Sequence, residues 1–179
     1  MKITETILPG VLIVEPKVFG DRRGVFVETY QAERYRAAGI DYSFVQDNFS
    51  RSERGVLRGL HFQKKCPQGK LVRVSRGSVF DVAVDIDSSS QTFGKYVAVE
   101  LNETNHKQLW IPPGYAHGFC VLSEAADFQY KCTTYYDPSD EGGVIWNDPD
   151  IGISWPIFSP KLSDKDQKHP RLRELIENE

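Results

Sequence analysis

A chain of 179 residues is long enough to bury a sizeable core in one compact unit without disulfide or metal staples. Hydrophobic residues at 40% and aromatics at 12% exclude a disordered chain, and a net charge of -3 argues against a general nucleic-acid surface. Three cysteines, Cys66, Cys120 and Cys132, lack C-x-x-C spacing, and neither a signal-peptide core nor a membrane-length apolar run is present, so the expectation is a cytoplasmic protein with free thiols and no membrane association.

Short strands dominate the chain order. Leu12 to Val14, Val25 to Thr29, Asp47 to Ser52, Leu57 to Gln63 and Lys70 to Ser75 come first. Ser78 to Ile86, Lys95 to Leu101, Gln108 to Ile111, Gly118 to Leu122, Ala126 to Tyr136 and Val144 to Asn147 follow. Turn residues separate them at Gly20-Asp21, Gly55, Pro67-Gln68-Gly69, Arg76-Gly77, Pro112-Pro113-Gly114 and Gly142-Gly143. Only Gln31 to Ala38 and Arg171 to Glu177 read as helices, and Pro156 to Pro170 reads as an irregular closing loop. Many strands and few helices predict an all-β sandwich or barrel, with residues 1–179 forming a single domain.

Two strands carry chemically informative faces. From Val79 to Ile86 the even positions are bulky and apolar, while Val79, Asp81, Ala83 and Asp85 share the other face, which reads most simply as a solvated outer surface. On the strand after Ala126, the residues Phe128, Tyr130, Cys132, Thr134 and Tyr136 share a face that suits either a core or a ligand-lined cavity.

The histidines are His61, His106, His117 and His169. His61 lies in R-G-L-H-F-Q and reads by itself first as a satisfied core or surface residue; His117 closes P-P-G-Y-A-H, the form of a second cupin motif. A metal-binding cupin would offer a second histidine and a carboxylate where this chain has Gln63 and Lys70. An ammonium repels a divalent cation and two imidazoles are too few for a stable site, so no metal and no cofactor are expected in the barrel.

The blocks F-G-D-R-R-G from Phe19, F-V-Q-D-N from Phe44, G-V-L-R-G-L-H from Gly55 and Q-G-K-L-V-R from Gln68 follow in order. V-F-D-V-A-V-D from Val79, L-W-I-P from Leu109, Y-A-H-G-F from Tyr115 and L-S-D-K-D from Leu162 complete the series. Together they resemble the dTDP-4-dehydrorhamnose 3,5-epimerases, the RmlC-type cupins, over nearly the whole chain from about Ile7 to about Asp166. The resemblance implies a cupin-type jelly-roll β-barrel with a few short flanking helices. It also implies a dTDP-4-keto-6-deoxy sugar as substrate, inverted at C3 and C5 through enolates. His61 matches the family's base, Asp166 the carboxylate that orients it, Tyr130 the opposing acid and Lys70 the enolate-stabilising cation, with Asp81 in support.

The same resemblance places Arg23, Glu28, Gln46, Asn48, Arg58, His117, Glu141 and Lys165 at the substrate, with Phe19 and Tyr136 sandwiching thymine. In the family Phe19, Arg23 and Glu28 arrive on exchanged N-terminal strands of a neighbouring subunit, so a homodimer is implied. Ideal alternation puts Arg58 and His61 on opposite faces, and a bulge at Gly59 is needed to bring both to one site. The rivals are a 3- or 5-mono-epimerase, a 3,4-ketoisomerase, a carbohydrate-binding cupin without catalysis and a metal-dependent cupin oxygenase.

Overall fold

The computed structural model describes residues 1–176, and the expected helical residue Glu177 lies outside them. Thirteen strands form among these residues: β1 (Lys2–Glu5), β2 (Leu12–Glu15), β3 (Val18–Asp21), β4 (Gly24–Val27), β5 (Gln46–Glu53), β6 (Leu57–Gln63) and β7 (Lys70–Arg76) in the first half. β8 (Ser78–Asp85), β9 (Tyr96–Asn102), β10 (Gln108–Ile111), β11 (Tyr115–Val121), β12 (Ala125–Cys132) and β13 (Glu141–Gly143) complete them. The helices α1 (Ala32–Ala37) and α2 (Leu172–Ile176) are a turn or two long. Among the described residues no helix is long and apolar enough to cross a membrane.

The strands pair antiparallel into a six-stranded sheet, β1-β2-β10-β7-β12-β5, and a five-stranded sheet, β13-β6-β11-β8-β9, with β3-β4 as a separate hairpin. This is a cupin-type jelly roll, as the resemblance implies. Val72, Val74, Leu109 and Phe128 from one sheet meet Val79, Ala83, Leu101, Phe119 and Val121 from the other. Each fully buried Val, Leu or Phe side chain among them contributes roughly 1.5–3 kcal/mol of apolar transfer.

A second apolar layer revises the reading of β8. Val82 and Val84, with Leu60 and Ala116, are covered from outside by Ile151 and Leu172, with Trp155 packed alongside. Both faces of β8 are therefore buried, and the carboxylates of Asp81 and Asp85 point inward, 0% and 2% exposed. The solvated-face expectation fails because the C-terminal segment occupies the side assigned to the core. Asp85 is satisfied by Ser90 Oγ at 2.6 Å and Thr92 Oγ1 at 2.5 Å. On the far side of the molecule, Tyr35 of α1 and Ile40 cover Leu12, Val14, Leu71 and Trp110 of the six-stranded sheet.

Other boundaries differ from expectation. β1 and β3 were not anticipated, and the expected turn at Gly20-Asp21 lies two residues early, since Asp21 pairs with Gly24. The Gly142-Gly143 turn is instead β13, because these glycines let rings press on the backbone. A Cβ on Gly142 would stand 2.7 Å from Phe62, and one on Gly143 2.4 Å from His169. Val144 to Asn147 is not a strand, although Val144 and Leu60 exchange backbone hydrogen bonds. β12 ends at Cys132, so Thr134 and Tyr136 lie beyond it.

Candidate active site

β6 and β11 pair with His61 opposite His117 and Arg58 opposite Phe119, so Gly59 and Leu60 together oppose Gly118 alone. This register slip is the bulge that ideal alternation required, and Arg58 and His61 line one cavity. Only glycine fits at position 59: its φ is +125° and a Cβ would stand 2.6 Å from Gly118 Cα.

The cavity has a volume of about 370 Å³. Gln46, Asn48, Arg58, His61, Lys70, His117, Tyr130, Tyr136 and Glu141 all line it. Gln68, Ser50, Phe119 and Phe128 also contribute, and the motif reading did not assign them. Gln63 does not take part; it is buried as a loop staple, donating to the carbonyls of Cys66 and Tyr135 and accepting from Asp137 N–H.

His61 Nε2 lies 2.6 Å from Asp166 Oδ1, and Asp166 is nearly buried while His61 keeps 29% of its side chain exposed. Burial alone would raise the Asp166 carboxyl; the bond and charge of His61 outweigh it and hold the group below the usual carboxylate range. Asp166 reaches the site from the irregular stretch after Pro156, which is tied to the barrel at Val56 and Lys161. Leu57 N–H donates to Lys161 O at 3.0 Å and Lys161 N–H to Gly55 O at 2.7 Å.

His117 Nε2 lies 3.0 and 3.2 Å from the two oxygens of Asp81. Burial lowers the imidazole despite that carboxylate, and Lys70 and His61 push it the same way. Burial also pulls the Lys70 ammonium down, against the nearby Cys132, Asp81 and Glu141. Tyr130 is pushed up by burial and by Cys132, so its phenol stays protonated at neutral pH. Asn48 Nδ2 donates to the buried thiol of Cys132 at 3.5 Å, a contact that the residue pattern did not signal.

At the mouth, Glu141 accepts from Tyr136 Oη at 2.6 Å and from the Lys165 ammonium. The bond to Glu141 raises the Tyr136 phenol to about 12. Gln46 donates to Asn48 Oδ1 at 3.1 Å and accepts from Tyr136 N–H at 2.8 Å. Phe19, Arg23 and Glu28 do not line this cavity. Phe19 and Arg23 stand on the exposed β3-β4 hairpin, where Arg23 pairs with Asp21 at 2.6 Å, and Glu28 pairs with Arg34.

Comparison with known proteins agrees with this geometry. The family model described as dTDP-4-dehydrorhamnose 3,5-epimerase matches residues 5–174. The dTDP-4-dehydrorhamnose 3,5-epimerase of Salmonella typhimurium is 54% identical over 179 residues, covering 98% of both chains. The Legionella pneumophila epimerase RmlC, solved with dTDP-4-keto-L-rhamnose, superposes with a TM-score of 0.94 at 52% identity, covering 96% of this chain and 93% of that one. ChmJ of Streptomyces bikiniensis, a 3'-monoepimerase solved with dTDP-quinovose, gives 0.91 at 34% identity over 97% and 89%. A double-layered jelly roll with a His-Asp pair at its cavity, matched along nearly its whole length, belongs to the dTDP-4-dehydrorhamnose 3,5-epimerase family.

Proposed function

We propose that the chain is an isomerase that converts dTDP-4-dehydro-6-deoxy-α-D-glucose to dTDP-4-dehydro-β-L-rhamnose by inverting C3 and C5. The observation that carries the reading is the convergence of His61, Lys70 and Tyr130 on one cavity, with Asp166 bonded to His61. A C4 ketone acidifies the hydrogens on both neighbouring carbons. His61 takes one as a proton, Asp166 stabilises the imidazolium that forms, and Lys70 offsets charge growing on the enolate oxygen. Tyr130 returns a proton from the other side of the ring. The imidazolium then loses its proton to solvent and the phenolate regains one before the second centre inverts. Asp81 supports the group by holding His117, which faces the sugar from the adjoining strand.

Gln46, Asn48 and Tyr136 surround the base and diphosphate end, with Arg58 and Lys165 as cations for the diphosphate. Phe19, Arg23 and Glu28 reach the site of a second copy, making the protein a homodimer. The apolar hairpin supports this: Phe19 is 51%, Val25 66% and Phe26 68% exposed. The free thiols at Cys66, Cys120 and Cys132 fit a reducing cytoplasm.

NMR of the substrate incubated in deuterated water, beside His61→Ala, tests the reading. Deuterium at both C3 and C5, lost in the variant, is expected. Exchange at one carbon would make the chain a mono-epimerase, the activity named for ChmJ. Binding without exchange would leave a carbohydrate-binding cupin.

A further inference from the structure

His169 has no part in the chemistry above, yet it sits against the His-Asp pair. Its side chain is 9% exposed and its ring lies on the bare backbone of Gly143. Its Nε2 is 3.5 Å from Asp166 Oδ1, the same oxygen that bonds His61 at 2.6 Å. That separation is too long for a good N–H to O bond, and Nε2 of His169 has no hydrogen-bond partner. A buried polar atom left unpaired is costly, so its direction is informative.

We propose that His61, Asp166 and His169 form a two-histidine, one-carboxylate site for a divalent transition-metal ion, of which zinc is the probe, and that occupying it withdraws His61 from proton transfer. One ligand atom from each residue lies within 4.8 Å of the others. Shifts of under about 1 Å bring such atoms to the 2.0–2.2 Å bonds zinc makes with imidazole and carboxylate. Lys165, which precedes Asp166 in the chain, spends its charge on Glu141. His61 is the member open to solvent, which gives an ion its approach. This is a different place from the metal position of a cupin, where Lys70 stands, and the ion is an inhibitor rather than a resident cofactor. The binding half rests on geometry alone; the inhibitory half rests on His61 being the base.

The test is competition for zinc chloride between the protein and a chromophoric chelator at pH 7.5, with wild type, His169→Phe and His169→Asn. The phenylalanine keeps an aromatic ring at Gly143 and removes both nitrogens. Wild type is expected to bind one equivalent, and loss of one of three ligands to weaken binding about tenfold or more in both variants. Deuterium exchange into substrate should stop in wild type when zinc binds, resume on adding EDTA, and need about tenfold more zinc to stop in His169→Phe. Less than one equivalent bound, or equal affinity in all three proteins, overturns the site. Zinc bound with the expected loss in the variants, but exchange unaffected, overturns the inhibition and with it the role of His61, leaving the site standing.

Discussion

His61 Nε2 and Asp166 Oδ1 lie 2.6 Å apart although 105 residues of chain separate them. A pair so remote in sequence and so close in space is expected to act as one unit. Asp166→Asn keeps the shape and removes the charge that favours the imidazolium. It should lower kcat roughly 10²-fold or more, with KM little changed, and His61→Ala should lower it by about 10²–10⁴. Steady-state kinetics of both variants and the double variant check this; additive losses would show the two do not cooperate.

Tyr130→Phe should separate proton return from binding. The phenol is half-buried with its ring against Phe128, so the variant should fold with little change in stability. Loss of the acid should cost about 10²-fold in kcat. Solvent exchange at the sugar that outlasts product formation would assign Tyr130 to the return step, and unchanged turnover would remove it from the chemistry.

Lys70 sets the alkaline limb. Burial lowers its ammonium, so the charge is lost as pH rises through a value below the ordinary 10.5. kcat/KM should therefore begin to fall below that pH, and Lys70→Met should be slow throughout without that limb. A profile flat up to 10.5 would contradict the assignment.

Acid should unfold the protein in two stages. His117 and His169 are both lowered below 6.5, chiefly by burial. The unfolded chain takes up protons near 6.5 that the fold refuses, so stability falls as pH drops through 6.5 towards the lowered values. Asp166 and Glu141 are held low in the fold, so their contribution is present at neutral pH and lost below about 4.5. Urea midpoints at pH 7.5, 6.0, 5.0 and 4.0 measure this; equal midpoints at 7.5 and 5.0 would contradict it.

The proposal that the sites are shared between subunits is tested by mixing variants. Arg23→Ala and His61→Ala should each be weak alone at low substrate concentration. Refolded together in equal amounts they form heterodimers in which one of two sites is intact, restoring about a quarter of wild-type activity. No recovery would place Arg23 outside its partner's site.

Much of this was legible because strand periodicity and glycine placement have local causes. The bulge at Gly59 followed from two residues that alternation put on opposite faces. The misses share one cause: which side of a strand gets covered is decided by distant chain. The Asp81 face of β8 reads as surface until Ile151 and Leu172 claim the opposite side. Gly142-Gly143 reads as a turn until Phe62 and His169 require bare backbone there. His169 carried no signal of its own, since only packing on the bare backbone of Gly143 brings its ring beside Asp166.

The tie between Lys161 and the Gly55–Leu57 backbone also sets a timetable. Among the described residues every named strand precedes Asp166, so a ribosome that has finished β13 has not yet added that carboxylate. On the proposed roles, His61 gains its counter-charge only when the stretch that carries Asp166 docks on strands that precede it in the chain. A single cut near Phe158, which is fully exposed, would undo that final step while sparing the strands.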